Sequence, residues 1–120
     1  MKVAITSRGL DPQDPVDPRF GRATVFVVFD TETGEHTPLE NSGGMDAAHG
    51  AGIQAARRIQ EAGVSAVVTG HCGPNAFRAL SAAGIDVIVG AQGTVAETFA
   101  RYQAGDLQPV AAPDVEGHGL

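Results

Sequence analysis

Apolar positions fall into two alternating kinds of run along this chain. Lys2 to Thr6, Thr24 to Asp30, Val64 to Thr69 and Ile85 to Val89 are short, nearly continuous and rich in β-branched residues, which predicts strands covered on both faces. Glu35 to Leu39 is more polar and follows the turn sequence Thr31-Glu32-Thr33-Gly34, so it reads as the outer strand of a hairpin. Elsewhere the apolar spacing is helical. One helix is expected from near Asp46 or His49 to about Ala62, burying Ile53, Ala56 and Ile59 and exposing Gln54, Arg57, Arg58 and Glu61, with Gly63 as its stop. A second runs from Asn75 to Ala83, with Pro74 in its first turn and Gly84 after its end. A third opens on the capping-box sequence Thr94-Val95-Ala96-Glu97 and ends near Gln103.

The resulting order is βββαβαβα, an α/β chain with a five-stranded mixed sheet and helices on both faces. The first three strands form an antiparallel meander, and right-handed helical crossovers make strands one, four and five parallel. The loops Ser7 to Ala23, Glu40 to Gly50, Gly70 to Pro74 and Gly90 to Gly93 then share one edge of the sheet. Open α/β sheets bind ligands at the carboxyl ends of their parallel strands, here between strands one and four. Three helix N-termini are expected on that edge.

Composition narrows the chemistry. The length of 120 residues suits one domain, assigned to 1–107, with a flexible Pro/Gly/Ala-rich tail at 108–120. A net charge of -6 argues against nucleic acid, yet three of the eight basic residues, Arg8, Arg19 and Arg22, fall in one early loop. A single cysteine forms no internal disulfide, and no signal peptide or membrane span is evident, so a cytoplasmic protein without a membrane partner is expected. The polar third strand offers no obvious apolar dimer face, so a monomer is expected. Asp11, Asp14 and Asp17 each precede proline and lack the glycine and distal glutamate of a calcium loop.

Several chemistries compete for the ligand edge. Cys72 beside His71 suggests a nucleophile and its base, and a helix N-terminus favours a thiolate, but adjacent side chains point apart and no third group is implied. A Cys72-dependent enzyme acting on a small oxyanion or thiol is the alternative from that class. Nuclease chemistry lacks carboxylates on the central strands. Gly50-Ala51-Gly52-Ile53-Gln54-Ala55 spells a dinucleotide-type fingerprint, but it follows a long loop instead of a strand, and the next strand ends without a ribose-binding acid. Its glycines are better read as permitting close helix packing beside a crowded ligand. His49, His71 and Cys72 are too few for a closed structural zinc site. Arginines, glycines and helix N-termini together suit a pre-formed anionic object, whether a metal–sulfide cluster, a phosphate or another oxyanion, with Phe20 and Met45 as shields against water.

Met1 to Gly9, Asp17-Pro18-Arg19-Phe20-Gly21-Arg22, His49-Gly50-Ala51-Gly52 and Gly70-x-x-Gly73-Pro74-Asn75-Ala76-Phe77 together resemble the dinitrogenase iron-molybdenum cofactor biosynthesis family. The resemblance runs to about Leu107 and implies a ribonuclease H-like βββαβαβα fold without nuclease activity, in small non-enzymatic proteins that bind or carry molybdenum- or iron-containing sulfide clusters. The stand-alone size and the His71-Cys72 pair resemble a branch for which a non-covalently held molybdenum–copper sulfide cluster is implied. The alternative cargo is the iron-molybdenum cofactor or an iron–sulfur cluster, and a protein donor or acceptor of the cluster is a possible partner. On this reading Arg8, Arg19, Phe20, Gly21, Arg22, His49, Gly50, Gly52, Gly73, Pro74 and Asn75 surround the cluster. His71 and Cys72 lie against its metal.

Overall fold

The structure is a computed structural model and describes residues 1–41 and 51–110. The expected positions of Met45, His49 and Gly50 and the start of the first helix fall outside the described residues. The elements are β1 (Lys2–Ser7), β2 (Val25–Asp30), β3 (His36–Glu40), α1 (Ala51–Glu61), β4 (Ala66–Val68), α2 (Pro74–Ala82), β5 (Asp86–Ile88) and α3 (Val95–Gln103). The sheet order is β3-β2-β1-β4-β5, with β1, β2 and β3 antiparallel in turn and β1, β4 and β5 parallel, as the element order required.

Strand alternation divides the core into two layers. Ala4, Phe26, Val67 and Val87 face Ala55, Ala56 and Ile59 of α1 and Ala76 and Leu80 of α2. Val3, Ile5, Val27, Phe29, Ala66, Val68 and Ile88 face Val95 and Phe99 of α3, where the Phe29 and Phe99 rings stack with centroids 4.1 Å apart. Burial on both sides explains why β1 and β4 read as unbroken apolar runs. No helix among the described residues is long and apolar enough to cross a membrane.

Local chemistry sets the boundaries. In the β2–β3 hairpin the Asp30 carboxylate accepts hydrogen bonds from the Glu32 and Thr33 amides, at 2.8 and 3.3 Å, and these bonds hold its carboxyl below the ordinary range. Gly63 and Gly84 follow α1 and α2 at φ 75° and 77°, a region that favours glycine. The α3 capping box forms as expected. Thr94 Oγ1 accepts from the Glu97 amide at 3.1 Å, and the Glu97 carboxylate accepts from the Thr94 amide at 2.9 Å, which lowers the Glu97 pKa.

Two expectations need correction. Ile53 is 43 % exposed, and the buried face of α1 is instead Ala55, Ala56 and Ile59. The cause is the closeness of the two helices: a Cβ on Gly52 would lie only 3.0 Å from Ala76 Cβ, so small residues turn inward and Ile53 turns out. The first residues of the expected tail, 108–110, are also tied back to the sheet. Leu107 packs on the α3-side core, and the Val110 amide donates to the Val87 carbonyl at 2.9 Å. Residues 111–120, the rest of the expected tail, lie outside the described residues.

Candidate functional site

Beyond the paired ends of β1 and β4 the protein's own chain continues the sheet. Where β1 ends, Pro18 to Phe20 take its place beside β4. The His71 amide donates to the Pro18 carbonyl at 2.7 Å, the Phe20 amide donates to the His71 carbonyl at 3.2 Å, and Arg19 and His71 pair as a parallel bridge. Gly70 permits this approach, because a Cβ there would fall 2.7 Å from Pro18 Cα.

Strand alternation then sorts the side chains. Arg19 and His71 are bridge partners, share one side of the pair, and are both exposed. Phe20 and Cys72 are the next residues along and turn to the other side, where both are buried. Phe20 is 2 % exposed and packs against Phe26 at 5.6 Å between ring centroids, so its expected place as a ligand shield is instead a place in the core. Cys72 is fully buried in the same cluster, and its Sγ lies 3.8 Å from the Gly73 carbonyl. The adjacent histidine and thiol therefore face opposite ways, which separates them as a nucleophile and base.

The helix N-termini differ from one another. At α2 the N-cap is Gly73, no side chain caps the first turn, Pro74 occupies its start, and Asn75 is exposed. The contact between Gly52 and Ala76 sets the first described turn of α1 next to it. The uncapped α2 N-terminus carries partial positive charge and N–H donors at this edge. The third expected terminus is already taken. The α3 amides of Val95 and Ala96 donate to the Asp14 and Pro12 carbonyls at 3.0 and 2.8 Å, in addition to the capping box.

Arg8 and Arg22 are exposed, and Gly21 is half-buried. The Arg8 amide is bound to the Pro15 carbonyl at 3.0 Å, on the part of the loop that leads to α3. Asn41 ties the other end of the loop down, its Nδ2 donating to the Ala23 carbonyl at 2.9 Å. Asp11 and Asp14 are spent on turns. Asp11 Oδ1 accepts from the Gln13 amide, and Asp14 Oδ2 accepts from the Asp11 amide. Among the described residues no three His, Cys, Asp or Glu side chains are placed to hold a metal ion.

Sequence reasoning missed Thr6, Thr69, Asp17 and Asn41, all buried polar residues beneath this edge. A usable signal was present for two of them: Thr6 and Thr69 each close an apolar strand at the same level, and a buried hydroxyl there needs a partner. A cavity of about 300 Å³ lies at the other end of the sheet, lined by Lys2, Val28, Asp30, Leu39 and Ala62 among others, and includes none of the expected site residues.

Comparison with known proteins agrees with this architecture. The apo form of the orange protein from Desulfovibrio gigas is 38% identical, with 95% of this chain and 96% of that chain covered and a TM-score of 0.93. A putative NifB protein from Thermotoga is 35% identical over 97% of this chain and 98% of its own, with a TM-score of 0.83. An uncharacterized protein from Methanocaldococcus jannaschii is 29% identical over 96 residues, 78% of this chain and 80% of its own length. The sequence profile described as dinitrogenase iron-molybdenum cofactor matches residues 1–105, and the chain belongs to that family.

Proposed function

We propose that this chain is a non-enzymatic carrier of a pre-formed anionic metal–sulfide cluster, held at the carboxyl edge of the sheet. One observation carries the reading: the Arg19–His71 backbone bridge sets an arginine loop beside the α2 N-terminus, which no side chain caps. Anions bind where unclaimed amides and a helix dipole coincide, and arginine adds charge-assisted hydrogen bonds. In this arrangement Arg19 and Arg22 neutralise the cluster, the amides of Gly73, Asn75 and Ala76 meet its sulfides, and His71 borders it. Gly21 and Gly52 lie nearest to these groups, Arg8 sits farther along the same loop, and the expected His49-Gly50 pair lies outside the described residues. Cys72 packs beneath the site. Its burial also weighs against the Cys72-dependent enzyme, which needs a thiol in reach of substrate.

The favoured cargo is a molybdenum–copper sulfide cluster, supported by the likeness to the orange protein and by the branch resemblance of the His71-Cys72 pair. Iron-molybdenum cofactor or iron–sulfur carriage is the second reading, supported by the family description. Adding tetrathiomolybdate and a copper(I) salt to metal-free protein without oxygen is expected to give charge-transfer bands and a stoichiometric complex. Binding of iron-molybdenum cofactor with no such complex would overturn the copper version, and binding of neither would overturn carriage. The Cys72→Ala variant is expected to bind the same cluster within about twofold while losing about 1 kcal/mol of stability, the scale of one buried heavy atom. Loss of the complex in a folded Cys72→Ala protein would restore direct thiolate ligation.

A further inference from the structure

A carboxylate is an unexpected neighbour for an anion site, and Asp17 is only 3 % exposed within the arginine loop. Its main chain is tied to β1 twice. The Asp17 amide donates to the Thr6 carbonyl at 3.0 Å, and the Thr6 hydroxyl donates to the Asp17 carbonyl at 2.7 Å. Thr6 Oγ1 lies 2.9 Å from Thr69 Oγ1, and both threonines are fully buried, so the anchor spans the β1–β4 seam. The side chain is buried as well and turns toward Arg19. Asp17 Oδ1 accepts from the Arg19 amide at 2.9 Å and lies 3.6 Å from Arg19 Nε. Hydrogen bonds thus run from the seam to Asp17, on to Arg19, and through Pro18 and Phe20 to His71.

The turn alone does not require a charge. An Asn would accept the Arg19 amide as well as Asp does and would leave the loop one unit more positive. A carboxylate in this place attracts the Arg19 guanidinium at the expense of some attraction for the ligand. We propose that Asp17 is a positioning residue of the anion site: its carboxylate, carried on a main chain anchored to Thr6, orients the Arg19 guanidinium beside His71 before an anion arrives. This rests on the anion-binding reading for its purpose, although the orientation itself does not.

The two alternatives differ in sign. If Asp17 only shapes the turn, Asp17→Asn removes a repelling charge and tightens tetrathiomolybdate binding. If it orients Arg19, Asp17→Asn weakens binding by roughly two- to fivefold, the range of a partly exposed ion pair. In an Arg19→Ala background the same change then has no further weakening effect. Exchange of the His71 and Phe20 amides is expected to stay slow in Asp17→Asn, showing that the loop is intact, and to quicken in Asp17→Ala. In ligand-free protein the Arg19 Nε–H resonance is expected to be dispersed and ordered, and to move to the position of a solvated arginine in Asp17→Asn. A solvated-type Arg19 resonance in the unsubstituted protein, or tighter binding by Asp17→Asn, would overturn the proposal. If tetrathiomolybdate does not bind at all, the anion reading fails while the Arg19 resonance still decides the orientation.

Discussion

Gly70→Ala is expected to destabilise the protein by about 2–4 kcal/mol, a fall in Tm of roughly 10 °C or more for a domain of this size. The added Cβ would meet backbone: Pro18 Cα at 2.7 Å and Pro18 O at 2.8 Å. Neither side can yield cheaply. Gly70 accepts from the Gly90 amide at 2.9 Å, while Pro18 accepts from the His71 amide at 2.7 Å, so the strand end is gripped from both flanks. Gly73→Ala is the internal control, because a Cβ there meets nothing within 4 Å and its φ of -72° is open to any residue. Thermal unfolding followed by circular dichroism should separate the two variants clearly. Equal unfolding temperatures would mean that the Pro18–Gly70 contact is not the tight seam described here.

Replacing Arg19 and Arg22 together by Ala is expected to weaken cluster binding about 100-fold, with the fold unchanged. Each arginine offers a charge-assisted hydrogen bond, and solvent exposure holds its share to about tenfold. Binding by the unsubstituted protein should weaken as salt rises, and this dependence should be shallower in the double variant. Arg101 lies in the last turn of α3, and Arg101→Ala should change affinity less than twofold. Titration by absorbance at several ionic strengths checks all three expectations. Equal losses in the double variant and in Arg101→Ala would point to overall charge instead of a local site.

Strand order and direction were legible because both rest on strong local signals. Glycines stop α1 and α2 at Gly63 and Gly84, and the capping box at Thr94 starts α3 where its sequence says. Once three parallel strands and a hairpin are given, the loops that share an edge follow from geometry. Side-chain direction within those loops was less legible. Arg19-Phe20 and His71-Cys72 look like compact ligand pairs in one dimension, but a backbone bridge turns them into two strand-like segments whose residues alternate outward and inward. A bridge between residues 52 apart leaves no periodic trace in either segment. The orientation of α1 was misjudged for a related reason. Ile53 has more hydrophobic surface than Ala55, yet closeness to α2 favours the smaller side chains. The role of Asp17 was hidden because Asp-Pro reads first as a turn, and its main chain is anchored by the Thr6 hydroxyl, which meets that of Thr69 far away in sequence.

The most direct test of the central claim is a two-dimensional amide NMR titration of metal-free protein with tetrathiomolybdate, with and without copper(I). The account predicts shift changes concentrated in Asp17 to Arg22 and Gly70 to Phe77, with the hairpin around Thr33 and the cavity lined by Lys2, Asp30 and Leu39 unaffected. Changes concentrated at that cavity, or spread evenly over the basic residues, would contradict it.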